Sequence, residues 1–223
     1  MTDFLCRFRY GGGNDFTRYD VMATMFISFI LTAGVTTLCF WFYDRLLAIY
    51  ISKLLANCSI LHKYAANIPD LLLLIVCITT AIAFTGYLTR KRKGLFDQDT
   101  TFFHVIMYAV PATYAAKAFF KYVCGRPTPR EWLHKPDLYG FHWFRGNEMQ
   151  AAFPSGHMAV FTALAASLWR FYPRYRAIYA LFLLALAAAL IATNQHFLSD
   201  VVAGAYLGVL VEACTYKALK AGR

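Results

Sequence analysis

The chain has 223 residues, of which 59% are hydrophobic and 17% aromatic, and its mean hydropathy is +0.46. These values exceed those of soluble globular domains and exclude an ordinary water-soluble protein. The net charge of +10 would suit a nucleic-acid-binding protein, but the basic residues cluster between apolar runs, so we expect no nucleic-acid partner.

Six apolar runs approach the length of about 20 residues that a helix needs to cross a bilayer. The third contains Pro111 and Lys117, which a membrane tolerates where neighbouring helices or a cavity satisfy them, so it should border a polar interior. The stretch 45–62 mixes apolar and charged residues at helical spacing and predicts an interfacial helix that does not span. The predicted spans are about 21–42, 70–88, 102–123, 157–171, 177–193 and 199–219.

These runs predict an all-α polytopic membrane protein with six transmembrane helices and one domain, residues 1–223, whose motif-bearing core is about 102–219. The basic run 90–93 and the basic turn 172–176 indicate cytoplasmic segments, so both termini should be cytoplasmic. No cleavable signal is evident, and the first helix should direct insertion. We expect a bacterial inner-membrane protein with its active site on the periplasmic face.

Six cysteines are scattered along the chain without a Cys-x-x-Cys pair or a histidine at zinc spacing, so we expect no metal site. Cys58 and Cys124 would both fall on the outer side, where a disulfide is permitted, but the sequence alone does not pair them.

The fourth predicted span begins with Pro154, Ser155, Gly156 and His157. A serine before an apolar run is a good N-cap, and the pattern indicates a helix start. Helix N-termini attract anions, and glycine lets the backbone approach phosphate oxygens. By itself the motif could be an ordinary capped helix.

His196 and Asp200 lie four residues apart at the entrance to the last span, on one helical face. A carboxylate that accepts from one ring nitrogen fixes the tautomer and leaves the other nitrogen as a nucleophile or base. The alternative is an interfacial histidine beside a helix-capping aspartate.

Cations on the same outer face could complete a phosphoryl-transfer site. Lys121 with Arg126 or Arg130 could clamp phosphoryl oxygens, since arginine offers a bidentate fork. Each could equally be a solvated loop charge. Lys117, one turn before Lys121, either extends the cationic site inward or snorkels to the interface.

These motifs resemble those of the type 2 phosphatidic acid phosphatase superfamily over about residues 117–208. The second family motif, Pro-Ser-Gly-His, stands at 154–157, and the His-x-x-x-Asp core of the third stands at 196–200. The resemblance implies six spanning helices, a phosphorylated lipid substrate, no metal or other cofactor, and no protein partner.

The resemblance also implies a role for each matched residue. His196 would attack phosphorus to form a phosphohistidine, Asp200 would orient it, and His157 would protonate the leaving alcohol. Ser155 and Gly156 would bind phosphoryl oxygens.

Two positions depart from the family pattern. The first motif has an arginine seven residues after its lysine, where this chain has Thr128, and the third has an arginine six residues before its histidine, where this chain has Leu190. Losing a charge-assisted contact to a transition state costs about 2 to 4 kcal/mol. Arg126 or Arg130 could replace the first arginine.

Three functions therefore remain open from the sequence. The leading hypothesis is a lipid phosphatase that cleaves a phosphomonoester or pyrophosphate. The second is a phosphotransferase that passes the phosphoryl group to a lipid alcohol. The third is a catalytically silent lipid-binding protein on the same scaffold.

Overall fold

The computed structural model describes residues 18–55, 68–144 and 151–221, with side chains over 23–54, 72–144 and 151–221. Every regular element in these ranges is helical, which confirms the all-α prediction. A π-helical turn, Cys39–Tyr43, and two 3₁₀ turns, Pro136–Leu138 and Pro173–Tyr175, accompany eight α-helices. These are α1 Arg18–Leu38, α2 Asp44–Leu55, α3 Ile68–Arg92, α4 Gln98–Cys124, α5 Pro129–His134, α6 Gly156–Phe171, α7 Arg176–Ala192 and α8 Leu198–Ala221.

The structure joins the predicted first span to the helix predicted over 45–62, because α1, the π turn and α2 form one unbroken helix as far as Leu55. Asp44 lies at the junction, where its carboxylate is 1% exposed and paired inside the protein. A charged residue with a buried partner can stand within an apolar helix without ending it.

Four stretches among the described residues are helical, long and apolar enough to cross a bilayer, which indicates a membrane protein. The predicted third and fourth spans are helices, α4 and α6, but neither is among these four. Helix α6 has only 16 residues, and α4 carries Lys117 and Lys121. The six-span count stays a prediction. The four stretches are Ala23–Leu54, Leu72–Arg92, Pro173–Ala192 and Leu198–Ala221.

Helices α6 and α8 pack backbone against backbone through two glycines. A Cβ on Gly204 would lie 2.5 Å from the carbonyl oxygen of Ser155, and one on Gly208 would lie 2.3 Å from that of Ala159. Both distances are too short for any side chain, so glycine permits the close approach. The two helix starts therefore lie side by side, and the Ser155 N–H donates to the carbonyl of Asp200 at 3.0 Å.

Helix α4 packs on α6 through an apolar core that includes Val105, Ile106, Val110 and Val160. Its last turn carries Lys121, and Gly125 ends it in the left-handed conformation, with φ +53°. We call the end of the bundle where α4 finishes and α6 and α8 begin the motif end. All three predicted family motifs meet there.

Candidate active site at the motif end

The start of α6 has the geometry that the sequence predicted. Ser155 is fully buried and is the N-cap, and its Oγ accepts from the Met158 N–H at 3.4 Å. A Cβ on Gly156 would lie 2.9 Å from Cδ of Lys117 and 3.5 Å from its Nζ. The ammonium of Lys117 thus lies beside a helix N-terminus, where an anion would meet both.

The His196 imidazole is buried beside Asp200. Nδ1 of His196 lies 3.9 Å from Oδ2 of Asp200, longer than a hydrogen bond, and has no closer partner among the described residues. Catalytic contacts of this kind often tighten when substrate binds. Burial lowers the pKa of His196 against the opposing effect of Asp200, and the charge of Lys121 lowers it further. The ring is therefore neutral near pH 7, as a nucleophile requires.

The backbone around His196 is fixed by the turn that precedes α8. The N–H groups of Gln195 and His196 donate to the Leu190 carbonyl at 3.2 and 3.4 Å, and the Phe197 N–H donates to Oδ2 of Asp200 at 2.8 Å. His157 lies in the first turn of α6, partly exposed, at the same end of the bundle. The structure thus brings all three predicted catalytic residues to the motif end.

Arg126 occupies a different environment from the one predicted for a phosphate ligand. Its side chain is fully buried, and Nη1 donates to Oγ of Ser199 at 2.7 Å and to Oδ1 of Asp200 at 2.5 Å. Nη2 donates to Oδ2 of Asp44 at 2.7 Å. Burial lowers the pKa of Arg126, but Asp200 and Asp44 reverse that effect and raise it overall. Its phosphate contact stays a prediction that this burial disfavours.

Aromatic rings enclose the Arg126 guanidinium. Its central carbon lies 4.4 Å from the ring centroid of Phe197, 4.9 Å from that of Phe40 and 5.3 Å from that of Phe141. Such contacts hold a planar cation through its faces while the carboxylates hold its edge. Arg126 is therefore a fixed structural centre of the site.

The two departures from the family pattern have local explanations. Thr128 caps α5 in a capping box, in which the Glu131 N–H donates to Thr128 Oγ1 at 3.3 Å and the Thr128 N–H donates to Glu131 Oε2 at 3.0 Å. Leu190 is 5% exposed in an apolar cluster with Met158 and Val201. Neither residue supplies positive charge to the site.

The structure ties Arg130 to the chain just before His196. Its Nε donates to the carbonyl of Thr193 at 3.1 Å, and the side chain is partly exposed. Of the two arginines considered as substitutes, Arg130 is thus the one with access to solvent. Its phosphate-binding role stays a prediction.

Sequence reasoning missed Asp44 and Ser199. Asp44 is the only acidic residue between Val21 and Leu54. A single carboxylate in an apolar stretch indicates a functional site, but Asp44 fell between the predicted span 21–42 and the predicted helix 45–62. Ser199 stands directly before Asp200, at an unspecified position of the His-x-x-x-Asp motif, so the motif assigns no role to its hydroxyl. Both side chains are buried against Arg126.

Two further predictions concern cysteines and metals. Cys124 is a buried free thiol, and Cys58 lies outside the described residues, so their pairing stays untested. Within the described ranges, no group of three or more His, Cys, Asp or Glu side chains is arranged to hold a metal ion.

Comparison with known proteins supports the resemblance seen in the motifs. The model of the PAP2 superfamily matches residues 102–222, more than half of the chain. No curated protein and no solved structure matches the chain significantly. The matched region contains the start of α6, the His196 turn and all of α8. The chain therefore belongs to the PAP2 superfamily.

Proposed function

We propose that the protein is a membrane lipid phosphatase that works through a phosphohistidine. Membership in the PAP2 superfamily supports a phosphatase-type function broadly. The observation that carries the finer proposal is the position of His196, a buried imidazole beside Asp200, whose backbone carbonyl accepts from the Ser155 N–H at the lysine-flanked start of α6.

In this scheme the phosphoryl group binds at the start of α6. The backbone N–H of Gly156, the hydroxyl of Ser155 and the ammonium of Lys117 contact its oxygens, and Lys121 and Arg130 add positive charge. Because Nδ1 of His196 faces Asp200, that nitrogen carries the proton and Nε2 is the nucleophile.

Nε2 of His196 forms a bond to phosphorus while the ester P–O bond breaks, and His157 gives its proton to the leaving oxygen. The ring then carries a positive charge, which Asp200 stabilises through Nδ1–H. Water attacks the phosphohistidine, loses its proton to His157 and releases phosphate, which restores both histidines.

A lipid substrate suits the position of the site in an apolar bundle. Trp143 is 60% and Phe144 66% exposed in the loop between α4 and α6, as expected of rings that sit at a membrane interface. A substrate whose tail lies in the bilayer would present its phosphate at this level. We therefore propose a phosphomonoester or pyrophosphate of an amphiphile, in contact with membrane lipids, as the partner.

The test is phosphate release by the purified protein from phosphatidic acid and from a polyprenyl pyrophosphate in mixed micelles. We expect turnover by the wild type and a loss of at least about 10³-fold in His196→Ala. His104→Ala is the matched control, because His104 lies in α4 and stacks on Tyr87, with ring centroids 4.4 Å apart. It should keep wild-type turnover.

Equal background release by the wild type and His196→Ala from both substrates would refute the proposal. Vanadate binding without turnover would instead favour the catalytically silent lipid-binding protein. That alternative is supported by Thr128 and Leu190, which stand where the family motifs have arginine. Mass spectrometry with a lipid alcohol present would reveal transfer in place of hydrolysis.

A further inference from the structure

A carboxylate from outside the family region lies in the candidate site. Asp44 begins α2, and its side chain is 1% exposed. Its Oδ2 accepts from Nη2 of Arg126 at 2.7 Å and from Oγ of Ser199, and its Oδ1 accepts from the Ser199 N–H at 3.0 Å. Asp44 thus contacts Arg126, which bonds to Asp200, and Ser199, the neighbour of Asp200 in the chain, although the match to the PAP2 superfamily begins only at residue 102.

The charges explain why a second carboxylate matters. Arg126 is shared between Asp44 and Asp200, so one guanidinium faces two buried carboxylates. A guanidinium that faced Asp200 alone would neutralise it. With Asp44 present, the three groups keep a net negative charge, which can offset the positive charge that His196 gains when phosphorylated.

The pairing also fixes geometry. Asp200 uses Oδ1 for Arg126 and Oδ2 for the Phe197 N–H and for His196. If Arg126 lost its second anchor, it could turn fully onto Asp200 and draw Oδ2 away from Nδ1 of His196. A displacement of about 1 Å at such a point can cost about 10² in rate.

We propose that Asp44 is a positioning residue for the phosphohistidine step: it holds Nη2 of Arg126, so that Arg126 contacts Asp200 through Nη1 and Asp200 keeps its charge and orientation toward His196. The inference rests on the proposed function. It adds the first helix to the site, although that helix contributes nothing to the family motifs.

The test compares Asp44→Asn with wild type in kcat, KM and the pH dependence of kcat/KM. We expect kcat to fall about 10²-fold with KM changed less than about threefold, because Asp44 does not touch substrate. Glu212→Gln is the matched control. It also removes a fully buried carboxylate from an arginine pair, on α8, the helix that carries Asp200, and should leave kcat and the pH profile unchanged.

The pH profile separates positioning from simple loosening of the fold. Burial lowers the pKa of His196 and, among the described residues, Asp200 on α8 raises it and Lys121 on α4 lowers it. Arg126 bonds to Asp200 and Asp44, Arg130 bonds to the Thr193 carbonyl before His196, and Lys117 and His157 lie at the same end of the bundle. Removing the Asp44 charge leaves the cations in excess and lowers the pKa of His196, so the acid limb of kcat/KM should move to lower pH. Loosening would admit water, raise that pKa and move the limb the other way.

Wild-type kcat and an unmoved acid limb in folded Asp44→Asn would overturn the inference while the proposed function stands. If the wild type itself shows no turnover above His196→Ala, the proposed function fails and the inference with it. If Asp44→Asn does not fold, Ser199→Ala is tested in its place, because this change removes the hydroxyl that bonds to both Asp44 and Arg126. We expect kcat of Ser199→Ala to fall about tenfold, and an unchanged kcat would again overturn the inference.

Discussion

Helix α8 contributes a carboxylate to each of two ion clusters, and the two clusters differ in charge balance. Toward the C-terminal end of α8, here called the far end, Arg170 donates to Glu212 through two contacts of 2.8 and 2.7 Å. There one cation faces one carboxylate. At the motif end, Arg126 meets two carboxylates, Asp44 and Asp200. Asp200 and Glu212 are twelve positions apart on α8, or roughly 18 Å along its axis.

The difference separates a stabilising ion pair from one that serves chemistry. The Arg170–Glu212 pair is bidentate and links α6 to α8. The cluster at the motif end draws on three separate parts of the chain and leaves negative charge beside a histidine. A buried charge without full compensation is costly to fold around, and such arrangements concentrate at functional sites.

Replacing the arginine of each cluster should give the largest difference between the two clusters. Arg126→Met leaves two buried carboxylates together, and we expect a loss of about 3 to 5 kcal/mol in the free energy of unfolding, with turnover abolished. Arg170→Met leaves one buried carboxylate, Glu212, without its arginine. It should lower the free energy of unfolding by less than Arg126→Met does and leave turnover unchanged. Unfolding in mixed detergent micelles measures both, and equal losses of stability and activity would contradict the distinction.

The glycine packing at the motif end offers a second test. In Gly204→Ala the new Cβ would meet the Ser155 carbonyl at 2.5 Å, so the start of α6 must shift from Asp200. We expect kcat to fall about 10²-fold. Gly34→Ala is the control, since a Cβ there meets nothing within 4 Å, and it should match wild type in kcat. Wild-type kcat in Gly204→Ala would show that the spacing of the two helix starts is not critical.

The pH dependence sharpens the comparison for the wild type alone. Burial lowers the pKa of His196 from its ordinary value of 6.5, and the neutral ring is the reactive form. Activity should therefore persist below pH 6.5 and fall only as the ring gains a proton at lower pH. A profile of kcat/KM with its acid midpoint above 6.5 would show that Asp200 outweighs burial at this site.

The smallest expected effect is at the far end. Arg170→Lys keeps the charge but replaces two contacts to Glu212 by at most one, and the loss in the free energy of unfolding should be about 1 kcal/mol. Turnover should be unchanged. A loss of turnover in this variant would mean that the two clusters are coupled along α6 and α8.

Local patterns in the sequence predicted much of the site. The start of α6 followed from Ser155 and Gly156, because capping depends on residues within one turn. His196 lies beside Asp200, but it stands in the turn before α8, and the 3.9 Å between its Nδ1 and Oδ2 of Asp200 exceeds the hydrogen bond expected from helical spacing. The position of Lys117 was open between two alternatives; its side chain lies against Gly156, which favours the inward one, and its role in a cationic site stays a prediction.

Contacts distant in sequence could not be predicted in this way. Asp44 is 82 residues from Arg126 and 155 from Ser199, and no periodicity links them. The contact between Asp44 and Arg126 also explains why the first helix continues past residue 42. A charged residue in an apolar run suggests the edge of the membrane unless a buried partner is known. The substitution of Leu190 for the family arginine was visible, but its place in an apolar cluster required the fold.

The π turn in the first helix has a consequence for register. The Asp44 N–H bonds to the carbonyl of Cys39, five residues back, one residue more than in an α-helix. Each residue advances a helix by about 100°, so the extra residue offsets α2 from α1 by that angle. Ser28 in α1 approaches Tyr206 of α8 at 3.3 Å, while Asp44 in α2 reaches Ser199 of the same helix. Deleting one residue from the turn would restore regular winding and force the helix to give up one of these two contacts.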